Sequence, residues 1–230
     1  MSVSRSRMYH TKSQPLYIML SGNPCTGKST WAAKMVAALK DLDIKVTILN
    51  ADDIVFQMRD EHNAKHSDKP ITYVEVFPIP GNVAEFERRF NVLLAETNKW
   101  ENGVVILDRS YLTPERRDDV MSKIHSDNIH AVVIKLHDPV NWRAKIIARN
   151  ALGEKIVPDH AIQRLTDGAV APTFAEGFKT ITSCVAYGEP DSEEILQKSI
   201  ATVFEIVKQY AASLQKTKLQ TEHLSTLTCT

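Results

Sequence analysis

The sequence predicts an α/β protein: a doubly wound parallel sheet of about five strands, with helices on both faces and a helical lid. Three observations lead there. Short apolar runs alternate with helical segments along the whole chain. Successive runs end in chemically useful residues, namely a glycine turn, an Asp-Asp pair and a lone Asp. No apolar stretch approaches the ~18 residues of a membrane span.

The first apolar run, 16–21, reads as a buried strand. It leads into Gly22-Asn23-Pro24-Cys25-Thr26-Gly27-Lys28-Ser29-Thr30, which fits the phosphate-binding pattern G-x-x-x-x-G-K-[ST] of P-loop NTPases. The next residues, from Trp31 to Leu39, read as a helix. A strand, a glycine turn and a helix start are what phosphate binding needs. The glycines let consecutive N–H groups turn inward, and the helix start adds its own free donors. Gly22 through Thr30 are therefore expected to hold ATP. Lys28 would reach the outer phosphates and Ser29 would hold Mg²⁺.

Residues 45–49 read as strand two. They end at Asp52-Asp53, and a helix over 52–61 follows. Residues 62–81, with Pro70, Pro78, Pro80 and Gly81, read as an irregular stretch. Asn82 with Glu85 suggests a capping box. Val83, Phe86, Phe90, Leu93 and Leu94 suggest one buried face running toward Trp100. Residues 104–108 form strand three, ending in Asp108. Thr113 and Pro114 open a helix as cap and first position. Residues 131–136 read as strand four. Helices over 139–151 and 158–167 flank Gly153. Residues 178–185 read as strand five, and 191–214 as a long amphipathic helix.

The organisation expected is a flexible leader over 1–14, one kinase-like domain over 15–215 with a lid near 139–165, and a polar tail over 216–230. The basic N-terminus has no apolar segment, so no secretory signal is expected. Of the 230 residues, 43% are hydrophobic and 24% charged, an ordinary globular balance. The three cysteines form no disulfide or metal pattern, which suggests a reducing, cytoplasmic setting. A formal net charge of +0 argues against a strongly basic nucleic-acid coat but leaves room for a local basic channel.

A carboxylate just after strand two can accept a proton from an acceptor hydroxyl. Adjacent residues on a starting helix point ~100° apart, so Asp52 is read as the base and Asp53 as its support. Asp108, after four apolar residues, is placed to orient Mg²⁺. Arg143, Lys145 and Arg149 on the lid helix supply cations that could close over a transferring phosphate. Arg116-Arg117-Asp118-Asp119 reads as a solvated face. The histidines show no ligand spacing. Cys25 reads as a small filler residue whose thiol pKa the N–H nest would lower.

Four segments together resemble the polynucleotide 5′-hydroxyl kinases, a branch of the P-loop kinases within the wider zeta-toxin-like and AAA kinase group. They are Gly22–Trp31, Asn50–Asp53, Asp108–Arg117, and Arg149-Asn150 followed by Gly153-Glu154-Lys155-Ile156-Val157-Pro158. They occur in family order across about 22–165. The resemblance implies Lys28 and Ser29 on phosphate and Mg²⁺, and Asp52 as general base. It implies Asp53, Asp108, Arg109 and Ser110 on the acceptor side, Arg149 or another lid arginine on the transferring group, and Val157 and Pro158 near the acceptor entrance. Two positions depart from the family. Ile54-Val55-Phe56 stands where the family has an arginine for the acceptor's phosphate, and Leu152 stands where the lid has another. No D-x-D-G-T-like phosphatase segment follows. The implied acceptor is a DNA or RNA 5′ end, with no membrane partner. A nucleoside, a modified base within DNA, a sugar or an antibiotic remains open, as does a non-catalytic nucleotide switch.

Overall fold

A computed structural model of the chain describes residues 14–153 and 155–227. The predicted leader lies almost wholly outside the described residues. Five strands form one parallel sheet: β1 Leu16–Ser21, β2 Val46–Asn50, β3 Val104–Asp108, β4 Ile129–Lys135 and β5 Thr180–Val185. Their order is β2-β3-β1-β4-β5. β1 lies at the centre with every residue buried, so it runs apolar from Leu16 to Leu20 with no alternation. Register pairs Leu16 with Val104, Tyr17 with Ile129 and Asn50 with Asp108.

Alternate side chains of β1 enter two separate cores. Tyr17 and Met19 join Val105 and Leu107 beneath α2 (Ala51–Lys65), α3 (Asn82–Thr97) and α4 (Pro114–Met121). Leu16, Ile18 and Leu20 join Val104 and Ile106 beneath α1 (Lys28–Leu39) and α7 (Ser192–Leu227). Full burial of each large apolar side chain stabilises the fold by ~1.5–3 kcal/mol. Trp31 on α1 is fully buried and donates its indole N–H to Ser199 Oγ of α7 at 2.9 Å. Two further helices, α5 (Pro139–Ala151) and α6 (Asp159–Asp167), form the lid around their own small core of Trp142, Ile146 and Ile162.

Several expectations are corrected. α2 runs to Lys65 because no breaker interrupts it before Pro70. The stretch after it is not structureless, since Tyr73–Glu75 form a 3-10 turn capped by Thr72 and Glu75 in a reciprocal box. Asn82 is not a cap. Gly81 takes that place in the left-handed region, and Asn82 Nδ2 instead donates to the Val76 carbonyl at 2.8 Å. On α3 only Phe86, Phe90 and Leu94 of the expected face are buried, while Val83 and Leu93 are exposed. α7 continues to Leu227, well into the predicted tail. Among the described residues, no helix is long and apolar enough to cross a membrane.

Candidate active site

The carboxyl ends of β1, β2 and β3 open onto one cavity of about 1100 Å³. Such crevices are where open α/β sheets bind ligands. The phosphate loop forms one wall. Cys25 and Gly27 both take positive φ, 59° and 96°, which bends the chain so that α1 starts at Lys28. A Cβ at Gly27 would meet Tyr187 Cβ at 2.8 Å, so only glycine fits. Tyr187 N–H donates to the Thr26 carbonyl at 3.0 Å, and Thr26 Oγ1 donates to the Asn23 carbonyl at 2.8 Å. Gly22, Asn23 and Thr26 thus brace the loop from beneath, while Pro24, Cys25, Gly27, Lys28, Ser29 and Thr30 line the cavity.

Lys28 Nζ donates to the carbonyls of Gly22 and Asn23 at 3.0 and 2.8 Å. Burial pushes its pKa down to about 8, with Asp108 opposing. Asp108 at the end of β3 is 5% exposed. Burial raises its pKa against a hydrogen bond from the Ser29 side chain and the charge of Lys28. Ser29 and Asp108 therefore form an oxygen pair beside the phosphate loop, the donor type a hard cation prefers. Among the described residues no three His, Cys, Asp or Glu side chains cluster as a metal site. A magnesium ion here would depend on phosphate oxygens for its remaining ligands.

Asp52 starts α2, where Asn50 Oδ1 accepts from its backbone N–H at 2.9 Å. Its carboxylate faces the cavity, accepting from Tyr73 Oη at 2.6 Å and pairing with Lys155. Tyr73 arrives by a local route. Asn63 exchanges two hydrogen bonds with Ile71, at 2.7 and 3.0 Å, which seats the 3-10 turn, and the tyrosine ring then packs on Phe56. Burial raises the Tyr73 pKa to about 12, so it stays a donor. Burial pushes Lys155 down to about 8. Asp53 is exposed, accepts from Asn50 Nδ2 at 3.3 Å and does not line the cavity.

The lid covers the opposite side. Trp142 Nε1 donates to the Pro24 carbonyl at 2.6 Å, and Lys145 bonds the Tyr187 carbonyl. Asn150 exchanges two 3.0 Å hydrogen bonds with Val157, which folds Val157 and Pro158 into the cavity wall. Arg149 lines the cavity, and among the described residues its buried Nε and Nη2 atoms have no hydrogen-bond partner. Arg143 is exposed and lies outside the cavity. Of the lid cations predicted to act, Arg149 and Lys145 reach the cavity and Arg143 does not. Arg109 and Ser110 line the far wall, with Arg109 held by Glu87 at 2.7 Å over the Phe86 ring.

Two more readings need correction. Arg117 is not on a solvated face. It is fully buried, forks onto Glu176 at 2.6 and 3.0 Å and donates to the Tyr111 and Val170 carbonyls. Cys25 is not activated, because burial raises its thiol pKa and outweighs the pull of Arg149, Lys155, Lys28 and Lys145. Sequence reading also missed Tyr73, and left Lys155 as no more than a motif position. Thr72 followed by Glu75 was the available signal for the turn that carries Tyr73.

Residues 18–172 match the family described as AAA domain. No curated protein matches the sequence. Among solved structures, a candidate kinase from Chloroflexus aurantiacus j-10-fl is 14% identical with a TM-score of 0.50, covering 87% of this chain and 98% of that one. A gluconokinase from Sinorhizobium meliloti 1021 is 14% identical with a TM-score of 0.49, covering 88% and 97%. A chain of the Pnkp1/Rnl/Hen1 RNA repair complex is 17% identical with a TM-score of 0.49, covering 70% and 45%. The first of these likenesses is one of fold.

Proposed function

Because this chain belongs to the AAA domain family, we propose that it is an ATP-dependent kinase transferring the γ-phosphate to a hydroxyl, the 5′-hydroxyl end of DNA or RNA. One observation carries the reading. A phosphate loop with its lysine and serine shares a single cavity with a carboxylate held by a tyrosine and a lysine, and with an arginine whose buried Nε and Nη2 have no hydrogen-bond partner among the described residues. The cavity slightly exceeds the ~300–1,000 Å³ of a site for one small ligand. It has room for donor and acceptor together.

On this reading the loop N–H groups and Lys28 bind the triphosphate. Ser29 and Asp108 would hold Mg²⁺, which when bound neutralises charge on the phosphate oxygens. Asp52 accepts the acceptor proton. Tyr73 fixes the Asp52 rotamer by its hydrogen bond. The buried Nε and Nη2 of Arg149, which have no other partner among the described residues, supply donors to the group in flight. Lys155 keeps the base paired until the acceptor hydroxyl displaces it. The four sequence segments that resemble polynucleotide 5′-hydroxyl kinases support the choice of acceptor.

A second reading, a small-molecule or modified-base acceptor, is favoured by one feature. Ile54 and Val55, directly after the aspartate pair, are buried in the core and offer no cation to a neighbouring phosphate. The test is transfer of labelled γ-phosphate from ATP to a panel of 5′-hydroxyl DNA and RNA oligomers, nucleosides, hydroxymethylated DNA and buffer alone. Each arm is repeated with Asp52→Ala. Label at the 5′ end, lost in the variant, is the expected result. Label on a base or nucleoside replaces the acceptor. No transfer with ATP still bound overturns the kinase reading.

A further inference from the structure

A second cavity, of about 230 Å³, is lined mainly by α3 and α4. Phe90 of α3 and Val120 of α4, both buried, give it an apolar floor. Glu87 and Arg109 line this space and the catalytic cavity alike, and the 2.7 Å bond between them fastens the partition. The feature that phosphoryl transfer does not use is Tyr111. It lines the second cavity, is 2% exposed, and among the described residues its hydroxyl has no hydrogen-bond partner. Burial raises its pKa, so the phenol keeps its proton and offers it. The charges of Arg109, Glu87, Asp108 and Asp119 act on it next, and all of these but Asp108 line the same space. A buried hydroxyl without a partner is costly, and a ligand atom that accepts from it removes the cost.

The charges around the cavity decide what kind of ligand fits. Its carboxylates are Glu87, Glu115 and Asp119, and its cations are Arg109, Arg116 and Lys123. Most are already satisfied. Arg109 holds Glu87, Lys123 holds Asp119 at 2.8 Å, and Glu115 accepts from its own N–H and from Thr113. Among the described residues, the Arg116 and Asn91 side chains make no hydrogen bond or ion pair. The donors left over are therefore one phenol, one guanidinium and one amide. A phosphate dianion would face a lining with no net positive charge. A monoanion needs one cation, and a guanidinium fork suits a carboxylate. The rest of the ligand must be apolar to lie on Phe90 and Val120. Size agrees, since a cavity of ~150 Å³ is enough for a benzene ring.

We infer that this second cavity is a binding site, separate from the nucleotide and acceptor site, for a small monocarboxylate with an aromatic or compact aliphatic body. The carboxylate accepts from Tyr111 and Arg116, and the body covers Phe90 and Val120. The site does not depend on which acceptor the catalytic cavity takes.

The test is a titration followed by ligand nuclear magnetic resonance, with benzoate, its neutral isostere benzamide, and inorganic phosphate as probes. It is run on wild type, Tyr111→Phe, Arg116→Gln and the exposed-surface control Lys40→Gln. Tyr111→Phe removes a hydroxyl that holds nothing in the folded chain, so circular dichroism and the urea midpoint should match wild type. Benzoate should bind wild type and control saturably, and about tenfold tighter than benzamide, the worth of one charged hydrogen bond. Tyr111→Phe should weaken benzoate about tenfold, and Arg116→Gln should bring it to the level of benzamide. Saturating ATP should leave benzoate bound, and phosphate should not compete with it. Absence of saturable benzoate binding overturns the site, as does binding that Tyr111→Phe leaves unchanged. Displacement of benzoate by ATP or by phosphate also overturns it, by placing the probe in the catalytic cavity.

Discussion

Trp142 on the lid and Pro24 in the phosphate loop are joined by one hydrogen bond of 2.6 Å, from indole Nε1 to the backbone carbonyl. The bond ties lid position to loop shape. Trp142→Phe leaves the Pro24 carbonyl without its partner and thins the lid core. A stability loss of ~1–3 kcal/mol is expected in urea titration, together with weaker ATP binding by calorimetry. Unchanged ATP affinity would show that the lid rests on the loop without shaping it.

Asp52 and Tyr73 should separate into chemistry and positioning. Asp52→Asn is expected to lower kcat by about 10²–10⁴ with ATP affinity retained. Tyr73→Phe keeps the carboxylate but frees its rotamer, and about a tenfold loss in kcat is expected. Equal losses in the two variants would contradict this division.

Lys28 titrates near 8 in the nucleotide-free protein because burial disfavours its charged form. An unfolded lysine titrates near ~10.4, so between these values the folded chain binds fewer protons than the unfolded one. Stability therefore gains from this group as pH rises from about 8 toward about 10. Lys28→Met should flatten that part of the urea-midpoint profile. Bound triphosphate favours the charged amine again, so ATP binding at about pH 8.5 should take up a proton. Calorimetry in two buffers of different ionisation enthalpy reads that uptake, and a buffer-independent heat would refute it.

Arg117 is fully buried and its charge is met by Glu176 at 2.6 Å. Glu176→Ala strands that charge, with an expected cost of about 3–5 kcal/mol. Replacing both partners by Met should recover most of the loss. A double variant as unstable as the single one would show that packing, rather than charge, is the cause.

Much of the architecture was legible because it rests on local signals. Residues 104–107 and 16–20 are unbroken apolar runs, and Thr113-Pro114 opens α4 as cap and first residue, with Thr113 accepting from the Arg116 N–H. What escaped depends on distant partners. Arg116 and Arg117 are adjacent in one charged run, yet one faces the cavity and the other the core. The hint was periodicity, since Arg117 lies three residues before Val120 on α4 and shares its buried face. Its carboxylate partner lies 59 residues away, beyond any local pattern. Tyr73 was hidden in a stretch whose prolines suggested irregularity, although both capped 3-10 turns carry the same T-x-x-E signature at 72–75 and 173–176.

The strand order also bears on how the chain is made. β1 pairs with β3 and β4, and β2 pairs with β3, so neither early strand has a neighbour until residues beyond 103 have been synthesised. The nascent chain carries its fully buried central strand and its phosphate loop through that interval with no sheet to seat them. Long-range parallel pairing of this kind is slow to form and exposes apolar surface meanwhile. Yield from a cell or a refolding reaction is thus expected to follow chaperone supply and temperature more closely than the equilibrium stability of the finished molecule.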